Sequence, residues 1–394
     1  MQSKKRNIWI IIGITVLNAI GMTIVFPLFP FLLERYVPAK NVAFTMSALV
    51  SVFAVCTFFA APVFGALSDR YGRKPILIFS LIGSVIGYLL LGVGGALWIL
   101  FLGRIIDGIT AGNQSALFAY ITDSTEPHER GKWFGYLGGA IGLGFMIGPA
   151  IGGLLGSASV TLPFFVTAGI TLFSMVCIIF LLPESLTAEK RTTHLTFSSF
   201  NTFFHFKEIF VLEPVRNLLI MGAFFYVGLN IWQFNASIFL KDVFLWGPSF
   251  IGGVFVLVGI CDILSRVIVL PQLLKRYSEY TVGSIGLSGL SIGLGLLFLS
   301  AYVHSSFIII GAVACIVLGE GLFDPSYNAR LSVSVDESKQ GLLQGTNQSL
   351  QALYHVIVPI GAAAIYTYSH GIVFGIAALL MIFGLILFLR LKTK

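Results

Sequence analysis

Two acidic residues lie where a carboxylate is hard to keep ionised. Glu320 and Asp324 stand four positions apart inside a long apolar segment, with no basic residue at a neighbouring helical position. On a helix, this spacing puts both side chains on one face. Two carboxylates in a low-dielectric environment should not both stay charged, so one of them should take up a proton. The spacing predicts proton coupling or cation binding here, and a packing role is the alternative.

Two pairs of opposite charge lie in other apolar segments. Arg104 and Asp107 are three residues apart, and Asp262 and Arg266 are four apart. Each pair therefore shares a helical face and can form an ion pair. Charges inside a membrane are costly, and they commonly mark an ion or substrate pathway. A proton relay and a static buried pair both fit each of them, and the second pair could lie near enough to a helix end to be partly solvated.

The elements that hold these charges must cross a membrane. Hydrophobic residues make up 57% of the 394-residue chain and charged residues 10%, and the mean hydropathy is +0.93. A crossing takes about 20 apolar residues, and in lipid a helix pairs its own backbone polar groups. We therefore predict an all-α membrane protein with twelve transmembrane helices. These spans 1 to 12 are placed near residues 8–33, 43–67, 75–95, 97–122, 133–156, 161–182, 216–240, 249–273, 281–303, 306–332, 341–368 and 371–391.

The basic residues orient the spans. Most loop lysines and arginines fall on the side of the N-terminus, and Arg35, Lys40 and Lys241 are the exceptions. Because positive loops stay in the cytoplasm, both termini are predicted to be cytoplasmic. The net charge of +7 is then an insertion signal, and no nucleic-acid partner is expected. The short loops favour a bacterial plasma membrane as the location.

The chain also divides into related halves. The longest polar interruption separates six spans from six, and the segments 130–135 and 339–345 align at an offset of 210 that also places Pro149 on Pro359. We predict two pseudo-symmetric six-helix bundles, residues 1–182 and 216–394, which is the layout of a transporter with a midplane site. The cytoplasmic linker 183–215 alternates phenylalanines with polar residues, so it is either an amphipathic helix or a partly ordered linker.

Three short sequences carry a family resemblance. They are the loop from Gly65 to Lys74 between spans 2 and 3, the segment 102–108 in span 4, and the glycine-rich segment 142–153 in span 5. With them, essentially the whole chain resembles a major facilitator superfamily transporter of the twelve-helix drug:proton antiporter group, which includes bacterial tetracycline and multidrug exporters. The resemblance implies alternating access, a small-molecule substrate, protons and membrane lipids as partners, a monomer, and no cofactor.

The loop signature, called the gating loop here, is expected to latch one conformation. Its residues of interest are Gly65, Asp69, Arg70, Gly72, Arg73, Lys74 and, at the end of span 4, Asp123. Gly65 should let span 2 approach a neighbour, and Gly72 should supply a turn. The resemblance implies that Asp69 caps the start of span 11 and that Arg73 pairs with Asp123. The alternative is that Arg70, Arg73 and Lys74 serve topology alone.

Span 5 is expected to pack closely and to bend. Small residues let helix backbones approach in lipid, and a proline removes a helix hydrogen bond. The resemblance names this span the antiporter helix and implies that it limits leakage during exchange. Its residues are Gly144, Gly148, Pro149, Gly152 and Gly153.

A substrate cavity is predicted from aromatic rings and amides on spans 1, 7 and 11. Such a lining suits an apolar, potentially cationic organic molecule. The residues are Asn18, Met22, Tyr226, Asn230, Gln233, Phe234, Gln348, Gln351 and His355. For His355, titration near neutral pH and a neutral, hydrogen-bonded ring are both open.

The chain departs from the tetracycline exporters that it resembles. Asn18 and Gly87 stand where those exporters carry aspartates, and Asp107 stands where they have a small polar residue. Tetracycline is therefore not predicted as the substrate.

The leading hypothesis is proton-coupled export of small, largely apolar organic compounds. One alternative is an exporter or flippase of an endogenous metabolite, sugar or lipid-linked molecule, and a more remote one is a non-transporting membrane sensor. An enzyme is not expected, because the sequence has no nucleophile–base set, no metal cluster and no phosphate loop.

Overall fold

A computed structural model describes residues 2–126, 129–187, 191, 213–334 and 340–390, and the regular secondary structure in these ranges is helical. The α-helices are α1 (Gln2–Ile24), α2 (Phe29–Leu33), α3 (Ala39–Tyr71), α4 (Arg73–Val93), α5 (Leu97–Ile109), α6 (Asn113–Ser124), α7 (Arg130–Ala158), α8 (Leu162–Leu181), α9 (Glu213–Phe244), α10 (Pro248–Ile263), α11 (Leu270–Leu274), α12 (Glu279–Val303), α13 (Ser306–Ser332), α14 (Gln340–Tyr368) and α15 (Ile372–Arg390). A π-helical turn, π1 (Leu264–Val269), joins α10 to α11.

Within the described residues, eleven helical segments are long and apolar enough to cross a membrane. Twelve spans were predicted, and the one that is not among the eleven is span 4, which is divided into α5 and α6. Between them, the Gly112 N–H donates to Thr110 O at 2.8 Å and to Ser80 Oγ at 3.1 Å. These bonds replace those of a continuous helix, so that neither piece alone is long enough to span.

The predicted span 1 also ends earlier than expected. α1 stops at Ile24, and a turn with bonds from the Phe26 N–H to Thr23 O and from the Leu28 N–H to Val25 O leads into α2. Pro27 explains the break, because it has no N–H to donate to the fourth residue before it.

The chain divides into two compact units, and boundaries between them fall inside α3 and α10. Among the described residues, unit 1 comprises those within 1–37, 49–201 and 247–256, and unit 2 comprises those within 38–48, 202–246 and 257–394. The predicted bundle boundaries at 182 and 216 stay a prediction, and the linker segment predicted to be an amphipathic helix lies largely outside the described residues.

Each unit is held together by long helix pairs. In unit 1, α1 packs along α7 and α4 along α8, and in unit 2, α12 packs along α13 and α15. The α12–α13 pair is close, since a Cβ on Gly286 would lie 2.7 Å from Gly319 O. Small residues at such crossings let the backbones touch, which is how helices associate in lipid.

Candidate coupling and substrate site

Unit 2 gathers charged side chains from two helices around Arg266. The Arg266 Nε donates to Asp262 Oδ1 at 2.6 Å. Both residues lie on one continuous helical segment, Pro248–Leu274, which is called the rod here. Its Nη1 lies 3.7 Å from Asp324 Oδ2 on α13. The side chains of Asp262 and Asp324 are each 28% exposed and that of Arg266 is 37% exposed. Two pairs that the sequence left separate therefore meet in one partly accessible cluster.

Glu320 belongs to the same cluster. It lies one turn before Asp324 on α13, within electrostatic reach of Arg266, Asp262 and Asp324. The helix is continuous through Pro325, so Asp324 lies inside α13 and not at its end. The coupling cluster, defined as Asp262, Arg266, Glu320 and Asp324, thus brings three carboxylates to one guanidinium.

Asp324 is also held by neutral donors. The Tyr226 hydroxyl on α9 donates to Asp324 Oδ1 at 3.1 Å, and Asn328 Nδ2 donates to the same oxygen at 3.1 Å. These donors fix the carboxylate toward α9 and leave its second oxygen toward Arg266. Tyr226 was predicted as a substrate residue, whereas the structure puts its hydroxyl on the acid.

Aromatic rings and amides surround this cluster. The Tyr226 ring lies 6.5 Å from that of Tyr354 and 6.0 Å from that of Tyr327, and the Tyr327 hydroxyl donates to Asn347 Oδ1 at 3.3 Å. Tyr327, Asn347 and Tyr354 were not predicted. The signal available was helical spacing, because Tyr327 follows Asp324 by three residues and Tyr354 precedes the predicted His355.

The predicted substrate residues of unit 2 are placed unevenly. Asn230 is buried and donates to Tyr226 O at 2.7 Å. Phe234 packs edge-to-face on the His355 ring at 5.6 Å, which gives both a packing role. Gln233 and Gln348 are exposed, and Gln351 is partly buried.

The predicted substrate residues of unit 1 lie on α1. Asn18 is partly buried, and among the described residues neither its Nδ2 nor its Oδ1 has a hydrogen-bond partner. Met22, one turn later, is 43% exposed. Both atoms are buried, and an amide that is buried without a hydrogen-bond partner is unusual.

Unit 1 holds the third charge pair in a different setting. The Arg104 Nη2 donates to Asp107 Oδ2 at 2.8 Å, and both side chains are less than a tenth exposed. The Ser84 hydroxyl donates to the other Asp107 oxygen at 2.7 Å. The guanidinium faces the rings of Phe53 at 5.0 Å and Tyr88 at 5.6 Å. This is a closed, one-to-one ion pair in an aromatic box.

The position of Asp107 bears on one departure from the tetracycline exporters. A Cβ built on Gly87 would lie 2.9 Å from the Asp107 Cβ. Position 87 therefore has no room for a second carboxylate beside Asp107. Where the tetracycline exporters carry an aspartate on this helix, the chain has Gly87, and the carboxylate beside it is that of Asp107 on α5.

The gating loop forms a charged network at the junction of α3 and α4. The Arg73 Nε donates to Asp123 Oδ2 at 2.8 Å, and its Nη1 donates to Asp69 Oδ1. Lys74 Nζ donates to Ile179 O at 2.7 Å, and the Arg70 guanidinium lies 5.4 Å from the Tyr71 ring. The predicted cap of Asp69 on the start of span 11 would join the two units, and it stays a prediction.

The two loop glycines differ. Gly72 has φ +108°, which a side chain rarely adopts, so the turn requires it. A Cβ on Gly65 would meet no described atom within 4 Å. The expectation that Gly65 permits a close approach is therefore not supported by its surroundings.

Residues 11–359 match the Major Facilitator Superfamily. The chain belongs to this superfamily. It is similar to the tetracycline resistance protein, class H, of Pasteurella multocida, with 35% identity over 370 residues, 92% of this chain and 90% of that protein. Multidrug resistance protein 2 of Bacillus subtilis (strain 168) is 28% identical over 400 residues, 100% of this chain and 97% of that protein. The solved D-xylose–proton symporter has the same fold, with a TM-score of 0.77 at 16% identity over 97% of each chain.

These similarities confirm the predicted family and the multi-pass membrane location. Major facilitator proteins carry small molecules across membranes, so the chain is a transporter by family.

One residue of the charged network at the junction of α3 and α4 was not predicted from the sequence. Glu184, which had been assigned to the linker, accepts hydrogen bonds from the backbone N–H groups of Arg73 at 2.8 Å and Lys74 at 3.1 Å. It thereby caps the first turn of α4, whose N–H groups have no partner within the helix. Its side chain occupies the space that a Cβ on Gly72 would need. The signal available in the sequence was the position of Glu184. It closely follows span 6, on the predicted cytoplasmic side, where the start of span 3 needs hydrogen-bond acceptors.

The predicted antiporter helix corresponds to α7, which runs continuously through Pro149. Three of its glycines face α1, and a fourth faces the start of α10. Cβ atoms on Gly144, Gly148 and Gly152 would overlap Ala19, Thr23 and Ile24 of α1, and one on Gly153 would meet Pro248 O at 2.6 Å. The Thr23 hydroxyl donates to Gly144 O at 2.8 Å across the first contact. Close packing therefore accounts for the glycines at 144, 148, 152 and 153.

Proposed function

We propose that this protein is a proton-coupled exporter of small, largely apolar organic compounds in a bacterial plasma membrane. It would work by alternating access, with twelve transmembrane helices and both termini in the cytoplasm. The observation that carries the proposal is the coupling cluster, in which three carboxylates share one guanidinium inside membrane-crossing helices.

The charge balance supports proton uptake at this cluster. With all four groups ionised, the cluster would carry two uncompensated negative charges in a poorly solvated place. Such charge is costly in a membrane, whereas a bound proton removes part of it. Partial exposure of Asp262, Arg266 and Asp324 gives protons access. These acids are therefore suited to load and release protons as the transporter changes conformation.

The surroundings support an organic substrate. Tyr226, Tyr327 and Tyr354 provide ring faces beside the acids, and amides lie on α9 and α14. A lining of aromatic rings with few polar groups binds apolar organic molecules, and nearby carboxylates favour a positive charge on them. A cationic substrate and a proton would then compete for one negative site, which is the basis of exchange.

Antiport requires that proton and substrate favour opposite conformations. We assign that link to the gating network, where Arg73 joins Asp69 and Asp123 and where Glu184 caps α4. Breaking these bonds is part of opening the cytoplasmic side. The Asn18 amide on α1 is assigned to the substrate.

The test is transport by purified protein in proteoliposomes with an imposed pH gradient. Ethidium, a planar aromatic cation, and tetracycline serve as probes. One pH unit is worth about 1.4 kcal/mol per proton, or about a tenfold concentration ratio. We expect the wild-type protein to concentrate at least one probe against its gradient and to dissipate the pH gradient as it does so.

Charge-removing variants locate the coupling acids. Glu320→Gln and Asp324→Asn should each abolish gradient-driven transport and keep downhill exchange. Glu279→Gln, at the exposed start of α12, is the matched control and should behave as wild type. Active transport that persists in both cluster variants would exclude these acids as proton carriers.

A further inference from the structure

The rod that carries Arg266 changes its helical register at that residue. Helix α10 is followed by the π-helical turn π1 and then by α11, in one continuous segment from Pro248 to Leu274. The Leu270 N–H bonds to Ser265 O, five residues back, where an α-helix would use the fourth. A π turn inside an α-helix is rare and frequently lies at a functional site.

Pro271 gives a physical reason for the turn. It has no N–H for the carbonyl of Val267, and a proline ring collides with the carbonyl four residues before it. Widening the preceding turn relieves that collision. Pro271 is exposed, and it is the second residue of α11, which begins directly after the turn.

Contacts with α13 also hold π1 in place. The fully buried Ser265 donates its hydroxyl to Leu318 O at 2.9 Å. A Cβ on Gly321 would lie 2.5 Å from Ser265 Oγ and 3.5 Å from Arg266 Cγ. The glycine therefore permits the approach of the two helices that brings Arg266 within 3.7 Å of Asp324.

We infer that π1 is a register switch that positions Arg266, with Pro271 and Ser265 as its positioning residues. In the π register, the guanidinium is shared between Asp262 and the acids of α13. In the α register, the segment after the turn advances by one residue, and the guanidinium leaves Asp324. The inference rests on the proposed function, because it gives the coupling cluster its moving part.

The charges around Arg266 set which register is favoured. Asp262 faces it from its own rod, and Glu320 and Asp324 face it from α13, with the Tyr226 hydroxyl of α9 on Asp324. When the α13 acids are ionised, they attract the guanidinium and favour the π register. When they bind protons, that attraction falls and the α register gains.

Spin labels on the full-length protein can measure the switch without knowledge of the substrate. One label replaces Lys275, which follows α11, and the other replaces Val333 at the end of α13. One residue of helical advance is about 100° of rotation and about 1.5 Å of rise, so we expect the label distance to differ by roughly 5 Å between pH 5.5 and pH 8.5. Labels at Val333, directly after α13, and at Leu389, on α15, are the control and should keep one distance.

Two variants test the positioning residues. Pro271→Ala restores a backbone donor at an exposed site, and Ser265→Ala removes the bond to Leu318. Each should give the same Lys275–Val333 label distance at both pH values. Pro271→Ala removes no buried contact, so it carries the test even where Ser265→Ala fails to fold. A wild-type distance that ignores pH, or a full shift in Pro271→Ala, would overturn the inference.

The outcome separates the switch from the proposed function. Export that responds to the pH gradient without any change in label distance rejects the switch and leaves the exporter standing. A label shift in a protein whose Glu320→Gln and Asp324→Asn variants still pump rejects those acids as proton carriers, while the movement of π1 remains.

Discussion

The charged sites of the two units differ in their balance. In unit 1, Arg104 and Asp107 form a one-to-one pair on α5, closed by Ser84 and by aromatic rings. In unit 2, Arg266 is shared by acids from two helices and is partly exposed. A balanced buried pair loses stability if either partner changes its charge. An acid-rich cluster becomes easier to bury when it takes up a proton, so the two sites suit different tasks.

This contrast resolves an ambiguity in the sequence, where both helix pairs fitted either a relay or a static contact. Their spacing is nearly the same, and the difference lies in which neighbours each pair meets. We assign Arg104 and Asp107 to the structure of unit 1, and we assign proton exchange to the cluster of unit 2.

The largest effect is expected from neutralising one cluster acid. Asp324→Asn should remove the roughly tenfold change in substrate ratio that each pH unit supports per coupled proton. The fraction of Asp107→Asn that folds should keep the wild-type dependence of the substrate ratio on the pH gradient. The measurement is the steady-state probe ratio in proteoliposomes over a series of imposed pH gradients. A tenfold response in Asp324→Asn together with none in Asp107→Asn would reverse the assignment.

The next effect concerns the stability of the balanced pair. Arg104→Gln leaves the Asp107 carboxylate buried without its partner, which should cost about 3–5 kcal/mol. Replacing both, as Arg104→Gln with Asp107→Asn, should recover most of the loss, because no uncompensated charge remains. Thermal unfolding in detergent measures both. A double variant that is no more stable than the single one would contradict the view of a simple charge pair.

A smaller effect compares two tight glycines. Gly148→Ala forces a methyl group into Thr23 in unit 1, and Gly321→Ala forces one into Ser265 in unit 2. Overpacking of this kind costs about 1–3 kcal/mol, so both should lower the unfolding temperature. Gly142→Ala, on α7 with open space at its Cβ, is the neutral control. Gly321→Ala alone should also change the pH profile of transport, and a profile that overlays the wild type would separate Gly321 from coupling.

An effect of similar size is expected for two hydroxyls that donate to acids. Ser84→Ala removes a bond to Asp107 and should cost about 1–3 kcal/mol of stability without moving the pH profile. Tyr226→Phe removes a bond to Asp324 and should move the midpoint of the profile by about half a unit or more, since 1.4 kcal/mol corresponds to one unit. Proton flux against pH is the readout. Equal pH profiles for Tyr226→Phe and wild type would show that the Tyr226 hydroxyl has no influence on proton exchange at the coupling cluster.

Much of the fold followed from local patterns. Long apolar segments required helices in lipid, and the helices of the structure match most predicted spans. The breaks at Pro27 and between α5 and α6 were not predicted, because hydropathy averages over single residues that disturb a hydrogen-bond ladder. The predicted halves and the orientation of the termini remain predictions.

The sites were predictable in kind more than in arrangement. Helical spacing identified the face shared by Glu320 and Asp324 and the two possible ion pairs, because those relations lie within one helix. It could not place Arg266 beside Asp324, Asp107 beside Gly87, or Glu184 at the start of α4. Those contacts join residues far apart in sequence.

The sequence by itself determined that this chain lives in a bilayer, which residues are charged within it, and which neighbours share a helical face. These follow from composition and from the fixed geometry of an α-helix. Tertiary structure alone decided which charges are compensated, because compensation depends on the residues that other helices bring within a few ångströms. It also placed the register change of π1 at Arg266, where a local helix defect gains a partner on α13.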